Sequence, residues 1–290
     1  MNKLRKKLWI GIFTLFFICG AFTSYAIFYP KRNIPVLMYH FILPDSEAGG
    51  SSLNVSVSNF ERQMHFLKMF KFRPISVEAY YAIKTGTKKP QGREVLITFD
   101  DGHRSYRQYA LHILERYQIP SVNFLIWDHM NDKQWRDYMT LEEVKQIANH
   151  PLVTLGAHTM SHRNLSQLST EEAWFEIKES KDKLEIFFKR PIDYFCYPEG
   201  SFSAETMQLV QRAGYRLAFR TSLKRLIGFP ETFYSIPRVK VHRKDNLFVF
   251  WLHAAGFTGF AKQVNAHLRE LTGYKENDTL KLYEQNQKTT

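Results

Sequence analysis

Four short segments of this 290-residue chain carry side chains that could do chemistry together: Tyr39-His40, Thr98-Phe99-Asp100-Asp101-Gly102, His158-Thr159-Met160-Ser161-His162 and Tyr197-Pro198-Glu199-Gly200. Neighbouring carboxylates at the end of an extended segment point in different directions. Asp100 and Asp101 can therefore do two jobs, one holding a cation and the other staying free as a base. An acidic turn is the competing reading of that triplet, because Asp-Gly is common in turns. His158 and His162 move the balance towards a metal. Two histidines at i and i+4 reach one ion if their segment forms a helical turn. Two histidines plus one carboxylate, with coordination positions left open, are a donor set used for catalytic zinc and for non-haem iron.

Those segments need elements to position them, and the pattern along the chain supplies them. Apolar runs at residues 34–39, 95–99, 121–126, 153–157, 194–197, 217–221 and 239–241 read as strands. Helical periodicity appears over residues 59–70 and 106–117, the latter ending before Ile119-Pro120, and over 204–213, stopped by Gly214. Thr140 with Glu143, and Ser169 with Glu172, are capping-box pairs opening helices over 141–149 and from 170 to about 188. Residues 44–53, with Gly49, Gly50, Ser51 and Ser52, read as a loop. Strands alternating with helices predict an α/β fold with a parallel sheet or barrel. In a parallel barrel the C-terminal strand ends converge on one face, which would bring the four segments together.

The N-terminus reads separately from that domain. Lys3, Arg5, Lys6 and Lys7 precede an uncharged stretch over residues 8–29, and Lys31 and Arg32 follow it. The stretch reaches the roughly 20 residues that a membrane-crossing helix needs. The basic flank predicts a cytoplasmic start, a single-pass anchor and an extracytoplasmic domain. A secreted product is the alternative, since Ser24 and Ala26 form a small-x-small pair suited to signal cleavage. The expected organisation is a basic start and membrane segment at 1–30, a catalytic domain at 31–259 and a polar tail at 260–290. Cys19 lies in the apolar run, leaving Cys196 alone beyond it, so no disulfide framework supports the fold. A hydrophobic content of 44%, with 15% aromatic residues, provides a sizeable core and excludes a disordered chain. The net charge of +12 is spread along the sequence without a nucleic-acid-binding signature, so no nucleic-acid partner is expected. Nothing in the sequence specifies an oligomeric state.

The segments at 98–102 and 158–162 resemble the first two motifs of the polysaccharide deacetylases, the NodB-homology family or carbohydrate esterase family 4. The resemblance runs from about Ile34 to Val241. It implies a distorted (β/α) barrel, a metal (usually zinc) held by Asp101, His158 and His162, and Asp100 as catalytic base. The implied substrate is an N-acetylated polysaccharide. The metal would lower the pKa of its water and polarise the acetyl carbonyl. A backbone N–H from the Pro198-Glu199-Gly200 turn would share the developing oxyanion.

The third motif departs from the commoner form. Many members carry an Arg-Pro-Pro-Tyr-Gly-like segment whose arginine steadies the catalytic Asp; here the aligned stretch is Cys196-Tyr197-Pro198-Glu199-Gly200. Arg238 in Ile236-Pro237-Arg238-Val239 is the candidate replacement, against the reading of a surface strand residue. Leu37-Met38-Tyr39-His40, the Tyr-Pro-x-Gly turn and Pro-Arg-Val are similar to exported deacetylases of poly-N-acetylglucosamine biofilm polymers. That subgroup implies that His40 sits beside the metal and binds or protonates substrate. Tyr197, Pro198, Glu199 and Gly200 are expected at the substrate and oxyanion side. His253 superficially matches the last family motif, but it falls in a helical segment where a core or surface role is favoured. Phe72, Trp127, Tyr197 and Phe202 are weaker candidates for stacking on sugars. Peptidoglycan or chitin-oligosaccharide deacetylation, and carbohydrate binding without catalysis on the same scaffold, are the competing functions.

Overall fold

The computed structural model describes residues 34–132, 134–221 and 231–257. The apolar N-terminal stretch and the polar tail lie outside them. Among the described residues, no helix is long and apolar enough to cross a membrane.

Seven parallel strands form the ring: β1 (Val36–Tyr39), β5 (Glu94–Phe99), β6 (Ser121–Leu125), β7 (Val153–Ala157), β8 (Tyr194–Cys196), β9 (Leu217–Thr221) and β10 (Ile236–Lys240). Each pairs with the next, and β1 closes the circle by pairing with both β10 and β5. β4 (Arg73–Pro74) joins β5 only at its first two residues. A short parallel pair, β2 (Phe41–Leu43) with β3 (Asn54–Ser56), stands apart from the ring. The strands are buried on both faces, as parallel strands between a barrel interior and an outer layer of helices must be, so their sequences are mainly apolar, with Thr98, Ser121 and Asn123 among the buried polar exceptions.

Side chains alternate along each strand, and the two apolar clusters follow that parity. Val36, Leu96, Val122, Phe124, Tyr194, Cys196, Leu217, Phe219 and Ile236 belong to the interior cluster. Leu37, Tyr39, Ile97, Phe99, Leu155, Phe195 and Tyr197 belong to the larger cluster beneath the helices. Continuing the inward row past the strand ends reaches His40, Asp100 and His158, and within β10 it includes Arg238.

The helices are α1 (Val57–Met69), α2 (Val77–Lys84), α3 (Leu111–Tyr117), α4 (Leu141–Ala148), α5 (Thr170–Phe188), α6 (Ala204–Arg212) and α7 (Leu247–Ala254), all but α2 lying outside the ring. Capping boxes open α4 and α5 at Thr140 and Ser169, and Gly214 follows α6 at φ 87°. The helix expected over 106–117 begins as a π-turn, Tyr106–Ala110, before continuing as α3. α2 adds Val77 and Tyr80 to the interior cluster, and its Glu78 accepts from Thr154 near the start of β7. It therefore plugs the barrel at the N-terminal strand ends, leaving the opposite end for polar groups.

Candidate active site

β5 delivers Asp100 and Asp101. Asp100 follows the inward row, whereas Asp101 takes φ 72°, which turns the chain back and aims the second carboxylate differently. Gly102 sits beneath this turn at φ 74°, and a Cβ there would stand 2.9 Å from Leu125.

Asp101 faces two imidazoles. Its Oδ1 lies 3.4 Å from His158 Nε2 and 3.7 Å from His162 Nε2, and the three donor atoms fall within 4.8 Å of one another. That Oδ1 is buried and has no hydrogen-bond partner. An unpaired buried carboxylate oxygen is costly, and a cation is the partner its surroundings suit. His158 Nδ1 lies 2.8 Å from the Cys196 carbonyl oxygen. A carbonyl only accepts, so Nδ1 carries a proton, and Nε2 is the nitrogen that can offer a lone pair to a cation once its own proton has left. Burial would raise the Asp101 carboxyl, but His158 and the neighbouring imidazoles hold it far below the usual carboxylate range.

The helical turn expected for His158 and His162 is not there. β7 ends at Ala157, and the pair is brought together by an irregular loop in which Thr159 (φ 70°) and His162 (φ 63°) are left-handed. Gly156, just before it, is required by packing: a Cβ there would meet the Phe124 ring at 2.5 Å.

Asp100 sits in a different setting. Arg238 Nη1 and Nη2 donate to its two oxygens at 2.6 Å each, and Nη1 also donates to Thr98 Oγ1 at 3.2 Å. Arg238 is fully buried, so it is not a surface strand residue. β10 begins at Ile236, three residues before the expected start, and this register carries Arg238 inward. Burial would raise the Asp100 pKa, but the guanidinium outweighs it and lowers it. Cys196, expected where the resembled motif carries its arginine, lies against this pair: Arg238 Nη2 is 2.9 Å from its Sγ, and burial pushes the thiol pKa up. A second donor cluster, Asp100, His158 and Cys196, is thereby the poorer metal site. Its carboxylate is already clamped and its sulfur is held as a thiol, whereas metals take the thiolate.

His40 completes the group. Its Nε2 lies 3.8 Å from Asp100 Oδ2, and burial lowers its pKa against the pull of Asp101 and Asp100. β2 follows it directly, tied to the Asp100 loop where Ile42 N–H donates to Ser105 Oγ at 3.1 Å.

The Tyr197–Gly200 stretch divides. Tyr197 lies on the outward row of β8, wholly buried, with its hydroxyl donating to the Tyr234 carbonyl at 2.9 Å. Its side chain cannot contact substrate, because strand parity turns it under the helices. Pro198 has no N–H, the Tyr197 N–H donates to Phe219 O, and the Gly200 N–H donates to Tyr197 O. Glu199, at φ 55°, is the remaining residue whose N–H can serve an oxyanion. Gly200 passes so close to β9 that a Cβ would stand 2.1 Å from Thr221 Oγ1.

His253 is a core residue, 3.3 Å from Asp245 on α7's own approach and not part of the cluster. Phe72 and Phe202 are buried in the outer core, and Trp127 is half-buried. Two features escaped the sequence reading. Glu176 on α5 is buried and bonded to the His158–His162 loop. A cleft of about 620 Å³ opens beside Ser161, lined by Asp128, His129, Asp132 and Trp135, with Trp135 stacked on His129 at 3.8 Å. Helical spacing was the available signal for Glu176, which shares a buried stripe with Ala173, Ile177, Ser180 and Leu184.

Comparison with known proteins points one way. The polysaccharide deacetylase family profile matches residues 87–218. YxkH of Bacillus subtilis, a protein assigned to the polysaccharide deacetylases, is 28% identical over 209 residues, covering 72% of this chain and 71% of that one. The poly-β-1,6-N-acetyl-D-glucosamine N-deacetylase of Staphylococcus aureus is 26% identical over 198 residues, covering 65% and 68%. The structure of Streptococcus pyogenes deacetylase PplD in complex with acetate superposes with a TM-score of 0.65 at 25% identity, over 73% of this chain and 93% of that one.

Proposed function

The chain carries a polysaccharide deacetylase domain, a hydrolase of N-acetyl amides, and on that premise we propose that it deacetylates poly-β-1,6-N-acetylglucosamine outside the cell with a zinc ion held by Asp101, His158 and His162. The observation that carries the metal reading is the buried, unpartnered Asp101 Oδ1 facing two imidazoles, one of them with its tautomer fixed by the Cys196 carbonyl. The substrate reading is supported by the similarity to the S. aureus enzyme together with His40 and the Tyr-Pro-x-Gly turn.

A divalent cation held by that donor set supplies Lewis acidity, making water nucleophilic near neutral pH and the amide carbonyl electrophilic. The chain's own groups do the rest. Asp100, held ionised and in one orientation by Arg238, accepts the proton of the attacking water. The Glu199 N–H donates to the carbonyl oxygen as negative charge builds there. The departing amine must be protonated, and His40 relays that proton, a role supported by the 3.8 Å between its Nε2 and Asp100 Oδ2.

The uncharged stretch at 8–29 between basic flanks supports a single-pass membrane anchor with the enzyme on the extracytoplasmic side, and release by signal cleavage is the alternative. Acetate release from purified protein tests the function: release from poly-β-1,6-N-acetylglucosamine, abolished by chelation and restored by zinc, is expected. Release confined to peptidoglycan or chitin oligosaccharides would move the substrate assignment, and release unaffected by chelation would end the metal reading.

A further inference from the structure

Two of the three metal-donor candidates depend on the path of a loop with no regular structure. Thr159 is left-handed at φ 70°, a conformation its branched Cβ disfavours, so contacts from outside must hold it. Within the loop, the His162 N–H donates to Thr159 Oγ1 at 2.9 Å. From outside, Glu176 on α5 reaches in. Its Oε2 accepts the N–H groups of Met160 and Ser161, each at 2.9 Å, and its Oε1 accepts the Ser161 hydroxyl.

Glu176 is only 3% exposed, and the three donors that satisfy it all belong to this loop. A buried carboxylate is expensive to desolvate, and its helical neighbours Ala173, Ile177, Ser180 and Leu184 are small or apolar. Two successive backbone N–H groups aimed at one oxygen form an anion-binding concavity, which exists only while the loop keeps its present shape.

We propose that Glu176 is a positioning residue for the cation: it acts through the loop, fixing residues 159–161 so that His158 and His162 converge on Asp101. This rests on the reading of Asp101, His158 and His162 as metal donors. Without the carboxylate, the loop would have to be ordered at the moment of metal binding, and that entropy would be subtracted from affinity.

The test is titration of purified apoprotein with cobalt(II), read by visible absorption and by competition with a chelator, beside the thermal midpoint of each apoprotein. Glu176→Ala should weaken cobalt binding by about 10- to 100-fold and change the absorption spectrum. Glu176→Gln should stay within a few-fold. Its amide oxygen keeps both N–H bonds while the Ser161 hydroxyl turns to accept from the NH₂ group. Glu176→Asp keeps the charge but is one methylene too short, so it should fall with the alanine variant, and it carries the test should that variant fail to fold. A folded Glu176→Ala or Glu176→Asp protein with wild-type cobalt affinity and spectrum overturns the proposal. Wild-type protein that takes up no cobalt removes the metal-donor reading itself, and the proposal with it.

Discussion

The pair of Asp100 and Arg238 is the strongest single electrostatic commitment in the site. Both groups are buried and their bonds are bidentate, so each is the condition for the other's presence. Replacing one partner strands the other as a buried charge, at a cost of about 3–5 kcal/mol, while replacing both by neutral groups costs far less. Arg238→Met should therefore be markedly less stable to urea than the wild type, and Asp100→Asn/Arg238→Met should recover most of the loss. Asp100→Asn alone should retain metal and lose deacetylation. The pH dependence has a definite sign. In the wild type the Asp100 pKa lies below its unfolded value of about 3.9, so its contribution is complete above that value and is lost as pH falls through the folded pKa. In Arg238→Met the guanidinium's pull is gone and burial is opposed only by His158 and His40, so the folded pKa rises and the stability that ionised Asp100 contributes at neutral pH shrinks. The gap between the two proteins should widen from pH 4 to pH 8 in denaturant titrations; a gap independent of pH would show that Asp100 finds another cation.

At the scale of elements, the Cys196–Gly200 corner shows how little space the site leaves. Gly200 has φ 69°, and an added Cβ would meet Thr221 Oγ1 at 2.1 Å and Thr221 N at 2.5 Å. Gly200→Ala should cost about 1–3 kcal/mol through strain at that φ alone. By displacing the Glu199 N–H it should lower kcat more than it raises KM, and a change confined to KM would argue against the oxyanion assignment. The elements themselves were legible to different degrees. β7, and β9 apart from its Arg220, are runs of apolar and β-branched residues and match their expected limits, as do the two capping boxes. β10 was read three residues short, because Pro237 discourages a strand assignment, and with it went the inward parity of Arg238. The donor residues could be found by type and spacing, but not the loop between them: left-handed Thr159 and His162 leave no periodic trace. The three-residue strands β2 and β3 are too short for alternation to register.

For the molecule as a whole, a cation that binds the folded state and not the unfolded chain adds stability by mass action, about 2.7 kcal/mol when present at 100 times its dissociation constant. Calorimetry of chelated and zinc-loaded protein should show a higher midpoint for the loaded form, and equal midpoints at saturating zinc would mean that no folded-state site exists. The ring adds a temporal consequence. β1 is among the first parts of the domain to be synthesised and β10 among the last, yet they are neighbours, with Leu37 opposite Val239. Arg238 arrives 138 residues after the aspartate it clamps. A chain emerging N-terminus first can lay down β5 to β9 in sequence, but Asp100 must wait for its guanidinium partner until the final strand is inserted. Assembly of the proposed base is thus a late event, and a nascent chain cut off before Ile236 would hold all three proposed metal donors and still lack the arginine that orients Asp100.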